Sequence, residues 1–240
     1  MPARGDATPT GKIEQDYLYD KTVVCPVCNS KITVKVVKAS RLRIIHRDTD
    51  SMAVYKDINP LLYDVWLCNH CGYANLQTLF HKPLSKSQIQ LIKTNITARW
   101  KPRDYPQSVY SEAIALERFK LAIYNATVRH AASSEIAMLC LKTAWIYRMM
   151  KDETNEVKYL TWACQEFEKA YETEDTPAFG MDATTQMYLM GELCRRTGNY
   201  ARALRWLGEV ITSPSAKQTL KDKARDQKDL VLEMMKKETT

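Results

Sequence analysis

Two rhythms of apolar and polar residues divide this chain. Directly after Cys28, Ile32, Val34 and Val36 alternate with Thr33, Lys35 and Val37, the two-residue period of a strand. Arg41 to Arg47 alternates as well: Arg41, Arg43, Ile45 and Arg47 share one parity and Leu42, Ile44 and His46 the other, which predicts a cationic strand face. Tyr63 to Leu67 is predicted as a third strand. From Ser108 onward apolar residues recur every three or four positions instead, through Ala113, Leu116, Phe119 and Ile123, then Ala137, Cys140, Leu141 and Ala144, then Leu160, Ala163, Cys164 and Phe167. That period predicts helix after helix.

Start and stop signals sharpen the division. Ser85 with Gln88 forms a capping box ahead of Ile89, Ile92 and Ile96, predicting a helix of about three turns. Pro102, Asp104 and Pro106 then interrupt regular structure and mark a boundary. Further on, Ser133 or Ser134 is the expected cap of one helix. Asp182 is the expected cap of another, after a loop with Pro177 and Gly180. Pro214 and Ser215 precede a last helix expected from Ala216 to about Lys236. The predicted organisation is a flexible tail over residues 1–20, a head over 21–105 and a helical domain over 106–240. The fold class is α+β, mostly α.

Within the helical part, Met187 to Pro214 fits a tetratricopeptide unit: Gly191 stands where the first helix must be small, Gly198, Asn199 and Tyr200 form the turn, and Ala203 lies where the second helix crosses it. An earlier unit, with Ala144 and Tyr147 followed by Leu160, Cys164 and Phe167, fits after allowing extra turn residues around Asp152 to Asn155. Helix pairs of this kind bury their faces by stacking, so a short solenoid with a concave surface is expected. Tyr147, Tyr188, Trp145, Trp162 and Trp206 are candidate aromatic anchors for a partner, with inter-helix packing as their default role.

The chemistry sits in the head. Cys25 and Cys28, and Cys68 and Cys71, form two Cys-x-x-Cys knuckles, and four thiolates converging on one tetrahedral ion is the reading that this pattern supports. The 39 residues between Cys28 and Cys68 do not prevent closure, because doubling a loop costs only about 0.6 kcal/mol. One structural zinc is expected, in a small antiparallel, zinc-ribbon-like head; iron, as the run Cys71, Gly72, Tyr73 suggests, is the second choice. His70 or His81 as a substitute ligand is a minor alternative. Cys140, Cys164 and Cys194 fall on apolar helical stripes and read as buried small hydrophobes.

Charge follows the same division. Residues 21–105 hold fourteen Lys and Arg against five Asp and Glu, whereas residues 106–240 hold nineteen of each. A basic head admits a nucleic-acid alternative in which Lys35, Lys38, Arg41, Arg43 and Arg47 contact phosphates and Tyr55 or Trp66 stacks on bases. Asp48 and Asp50 form a possible polar site, although a turn, or pairing with Arg41, Arg43 or Arg47, is the simpler role. The first residues lack a secretory signal and no run reaches the ~18 apolar residues of a membrane span. With an odd number of cysteines, seven, a cytoplasmic protein is expected. Four cysteines close the metal shell, the four histidines are scattered, and no phosphate-binding glycine loop is present, so no catalytic residue is assigned.

Cys25-Pro26-Val27-Cys28, the run Arg43 to Asp50 ending Arg-Asp-Thr-Asp, the run Lys56 to Pro60, the run Tyr63 to Tyr73 and the segment Met187 to Ala203 occur here in one order. In these the chain resembles a bacterial family known as domain of unknown function 2225. The resemblance implies a cysteine-rich, zinc-binding head joined to tetratricopeptide-like helices and supplies no activity. The leading expectation is a non-enzymatic adaptor whose helical surface binds a protein or peptide.

Overall fold

A computed structural model describes residues 14–103, 105, 109–175 and 178–238. Its strands are β1 (Leu18–Val24), β2 (Lys31–Val37), β3 (Ile44–Arg47), β4 (Ala53–Tyr55), β5 (Val65–Leu67) and β6 (Ala74–Leu76). They pair as three separate antiparallel hairpins, β1 with β2, β3 with β4 and β5 with β6. The single small sheet expected of the head is therefore not formed. Short 3-10 turns at Ala39–Arg41 and Pro60–Tyr63 reorient the chain between hairpins.

Two expectations for this part need correction. Residues 1–13 lie outside the described residues, but the predicted tail does not extend to residue 20: Glu14–Tyr17 is a 3-10 turn and β1 begins at Leu18. Tyr17 and Leu18 are buried with Ile58, Tyr63 and Tyr110 in a small core of their own, which anchors the segment. The cationic strand face also fails, because Arg41 belongs to a 3-10 turn and the pairing of β3 shifts register between Ile44 and His46. A one-residue shift reverses side-chain parity.

Hairpin β5–β6 is the wall between two larger cores. Val65, Leu67, Ala74 and Leu76 join the core of the helices, while Trp66, Tyr73 and the knuckle cysteines join Val23, Ile32, Val34, Phe80, Ile92 and Ile96. Strands buried on both faces lose the in-out polarity of a surface strand. The predicted boundary at residue 105 thus does not separate independent cores; Trp100 and Tyr105 themselves pack on the helical one, and Asp104 and Pro106 lie outside the described residues.

The helices are α1 (Lys86–Asn95), α2 (Glu112–Val128), α3 (Ser133–Met149), α4 (Glu153–Thr173), α5 (Ala183–Arg196), α6 (Tyr200–Thr212) and α7 (Gln218–Glu238). The capping box of Ser85 and Gln88 starts α1 and Asp182 caps α5, as expected. Neither Ser133 nor Ser134 caps α3; the residue before it is Ala132, and the Glu174 carboxylate accepts the Ser134 N–H at 3.0 Å instead. From α2 to α7 each helix packs on the next in chain order. Pro177 lies outside the described residues, and the last helix starts two residues later than expected.

Helix pairs α3–α4 and α5–α6 are joined by the same turn. Lys151 and Gly198 both have positive φ, and the following residue donates to the carbonyl five residues earlier, Asp152 N to Tyr147 O and Asn199 N to Cys194 O. Asp152 and Asn199 then cap the second helix. The extra turn residues expected around Asp152 are absent, and one constant offset carries Ala144 to Gly191, Trp145 to Glu192, Arg148 to Arg195 and Leu160 to Leu207. A Cβ on Gly191 would stand 2.8 Å from the Leu207 side chain, so α5 and α6 cross at glycine contact. Among the described residues no helix is long and apolar enough to cross a membrane.

Candidate metal centre

Each knuckle is the loop of a hairpin. Cys25 and Cys28 sit between β1 and β2, Cys68 and Cys71 between β5 and β6, and the two loops close identically. Asn29 N donates to Cys25 O at 2.9 Å and Gly72 N to Cys68 O at 2.8 Å. Cys25 N donates to Ser30 O at 3.0 Å and Cys68 N to Tyr73 O at 2.8 Å. The turn requires left-handed backbone after its second cysteine, at Asn29 (φ 58) and Gly72 (φ 78).

The loops face each other across a small gap. Cys25 Sγ lies 3.6 Å from Cys71 Sγ and Cys28 Sγ lies 3.6 Å from Cys68 Sγ, and all four sulfurs fall within 4.8 Å of one another. A tetrahedral ion with Zn–S bonds of about 2.3 Å has sulfur edges of about 3.8 Å. The cluster therefore has the ligand set and the dimensions to hold a metal ion. Its acid chemistry agrees. Contact with Cys25 holds the Cys68 thiol well below the usual range, while the same contact pushes Cys25 above it. Cys71 is pushed up too, by Cys25 first, then Cys68 and burial. Thiols this close stabilise one thiolate among themselves; a cation allows the others to ionise.

The second knuckle is buttressed from outside. Thr97 Oγ1 donates to Cys71 O at 2.9 Å, Asn125 Nδ2 to Gly72 O at 3.0 Å and Trp100 Nε1 to Asn69 O at 2.9 Å. Asn69 also holds Arg103 through both its amide atoms, at 2.7 Å each. His70 and His81 are exposed and neither belongs to the sulfur cluster. Cys164 and Cys194 are buried on helical stripes, as expected, but their sulfurs lie 3.1 Å apart with the Glu168 carboxylate close by. That carboxylate already accepts from Trp206 Nε1 at 2.9 Å and from Arg202 Nη2 at 2.5 Å, so a cation there would have to displace an arginine.

Asp48 and Asp50 turn out to be joined to the helices. They sit at the tip of hairpin β3–β4, where Ser51 (φ 72) closes the turn. Arg148 donates through Nη1 to Asp48 at 2.9 Å and through Nη2 to Asp50 at 2.6 Å, and Trp145 Nε1 donates to Asp50 at 3.0 Å. Between them Thr49 Oγ1 donates to Glu192 at 2.5 Å and accepts from Arg196 Nη2 at 2.9 Å. Burial raises the Asp50 pKa, but the Arg148 hydrogen bond and charge, with Arg196 and Trp145, outweigh it and hold the carboxyl below its usual range. The suggested pairing of these acids with Arg41, Arg43 or Arg47 is replaced by Arg148 and Arg196; no local pattern announces a contact spanning about a hundred residues.

Lys35 pairs with Asp20 at 2.7 Å and Lys38 donates to the Asp16 carbonyl at 2.9 Å, while Arg41, Arg43 and Arg47 are exposed. Trp66 is buried in the head core and has no face open to a base. Tyr147 and Tyr188 are buried between helices, Tyr147 stacked on Tyr159, and Trp206 is held by Glu168.

Neither a curated protein nor a solved structure matches this sequence. A family described as "Uncharacterized protein conserved in bacteria (DUF2225)" matches over residues 18–231, from the first strand to the last helix. With both knuckles and every helix pair inside that match, the chain belongs to the DUF2225 family.

Proposed function

We propose that this protein is a zinc-stabilised, non-enzymatic adaptor. One zinc ion held by Cys25, Cys28, Cys68 and Cys71 ties hairpin β1–β2 to the wall hairpin β5–β6, supplying a cross-link and no reaction step. Helix pairs α3–α4 and α5–α6 act as tetratricopeptide-like units of a short solenoid, and the face shared by α3 and α5 receives a peptide segment of a partner protein. The observation that carries this reading is the occupancy of that face. Trp145 and Arg148 on α3 and Glu192 and Arg196 on α5 already grip a three-residue stretch of polypeptide, Asp48-Thr49-Asp50, through side chains at equivalent or adjacent positions of the two units.

Photo-crosslinking tests the adaptor role in the full chain. A photoreactive residue at Thr185, beside the gripped segment, is expected to capture a defined protein in cells, whereas one at Val157, exposed on α4, is not. Equal capture from both positions, or none from Thr185, would overturn the reading. Elemental analysis is expected to give one zinc per chain, lost in Cys28→Ser; a stoichiometric metal other than zinc would remove that part of it.

A further inference from the structure

Hairpin β3–β4 is held to the protein almost entirely by its tip. All four residues of β3 are exposed, including Ile44 and Ile45, and β4 is only partly covered. At the tip, by contrast, Asp50 and Met52 are buried. The bonds that hold it are those of two carboxylates and a hydroxyl, made to Arg148, Trp145, Glu192 and Arg196. A charged contact of this kind differs from apolar packing in one respect: when it opens, every polar group on both sides regains water, so desolvation cost and pairing energy largely cancel and exposure of Met52 is the apolar cost that remains.

The helical side of the contact is shaped independently of the tip. Arg148 uses Nε on Glu156 at 2.7 Å, which leaves both Nη atoms turned toward the tip. Arg196 likewise uses Nε on Glu192 at 2.6 Å and keeps Nη2 for Thr49. Arg195 binds the same glutamate through Nε and Nη2 at 2.8 and 2.7 Å, fixing its position. Internal acids thus orient each guanidinium and leave one edge for a ligand, the geometry of a preorganised carboxylate receptor. Nor does the tip fill the available space. Beside it lie a cleft of about 390 Å³, with Trp145 and the Lys142–Asp64 ion pair in its wall, and one of about 310 Å³ bounded by Thr185, Tyr188, Lys223 and Asp226.

We infer that hairpin β3–β4 is a latch whose Asp48-Thr49-Asp50 tip occupies, within the chain, a receptor for an acidic peptide segment of a partner protein. This rests on the adaptor reading and adds to it the chemistry of the partner: a hydroxyl flanked by two carboxylates, in a segment long enough to enter both clefts. Displacing the tip exchanges one set of carboxylate contacts for another. A receptor open only about one to ten per cent of the time binds such a segment about 10- to 100-fold more weakly than a permanently open one.

The test uses the full-length, metal-loaded chain and a fluorescent cyclic peptide with the tip sequence Arg47 to Ala53. Asp48→Asn combined with Asp50→Asn disables the tip and leaves the receptor intact. This variant is expected to bind the probe at least about tenfold more tightly than the parent, and to lose that gain when Arg148→Ala is added. Equal binding by parent and variant, or binding by neither, overturns the latch while leaving an adaptor with a different occupant standing. Hydrogen exchange in the unmodified chain supplies a check that needs no variant. The Trp145 indole N–H, which donates to Asp50 across the contact, is expected to exchange through an opening that leaves the amides of α3 and α5 protected. Exchange of this proton only together with those amides would make the hairpin a fixed part of the core and overturn the proposal.

Discussion

The two knuckles have the same backbone and opposite surroundings. Around Cys68 and Cys71 the loop is packed against Trp100, pinned by Thr97 and Asn125, and carried on a hairpin buried on both faces. Around Cys25 and Cys28 it ends a hairpin whose outward residues are exposed, and Cys28 is only half-buried. Identical local geometry therefore does not mean equal independence. The second knuckle is pinned by side chains of the helical part, whereas the first is held by the packing of Val23, Ile32 and Val34 and, on the zinc reading, by the cross-link.

Metal removal separates them most strongly. Chelation, or Cys28→Ser, is expected to strip hydrogen-exchange protection from β1–β2 while β5–β6 and the helices keep theirs, because the wall hairpin still packs on α2 and the first hairpin has lost a cross-link whose gross affinity in small structural sites is about 10–16 kcal/mol. Simultaneous loss from both hairpins would show that the knuckles are equally dependent. Substitution at the left-handed residue comes next. Gly72→Ala puts a Cβ 2.6 Å from the Trp100 ring at positive φ, and is expected to cost about 2–4 kcal/mol in denaturant unfolding. Asn29→Gly, in the same torsion but the looser loop, should stay within about 1 kcal/mol of the parent.

The helical pairs repeat the contrast on a smaller scale. At their equivalent crossing positions α5 carries Gly191 and α3 carries Ala144. Gly191→Ala is expected to destabilise by about 1–3 kcal/mol, since Leu207 has to move, and trimming Leu207 to alanine in the same chain should recover part of that loss beyond additivity. The smallest effect belongs to the turns: Lys151 holds the left-handed position that Gly198 holds in the second pair. Lys151→Gly should raise stability by up to about 1 kcal/mol, read as a higher unfolding midpoint. A destabilised variant would mean that the two turns are not equivalent.

Much of this was legible in local pattern. The capping box at Ser85, the cap at Asp182, the Gly198-Asn199 turn and the helical period each depend on residues a few positions apart, and all reappear in the structure. The second pair was readable at Gly191 and Ala203, but its counterpart was blurred, because Lys151 stands where a glycine would have advertised the turn. Strand pairing was less legible. Arg41 to Arg47 alternates like a strand but begins at the end of a 3-10 turn and holds a register shift, and β1 carries no apolar alternation because most of its side chains face water.

Sequence by itself determined which groups this protein has to bring together: two pairs of thiols in turns that aim both sulfurs one way, and amphipathic helices that cannot remain unstacked. These follow from short-range torsions and from periodicity, which one chain displays in full. Tertiary structure alone decided where the charges went. Asp48 and Asp50 had arginines as near neighbours in the chain and found their partners on α3 and α5 instead. A buried carboxylate pairs with whichever oriented cation shares its desolvated space, and that space exists only after the helices have packed.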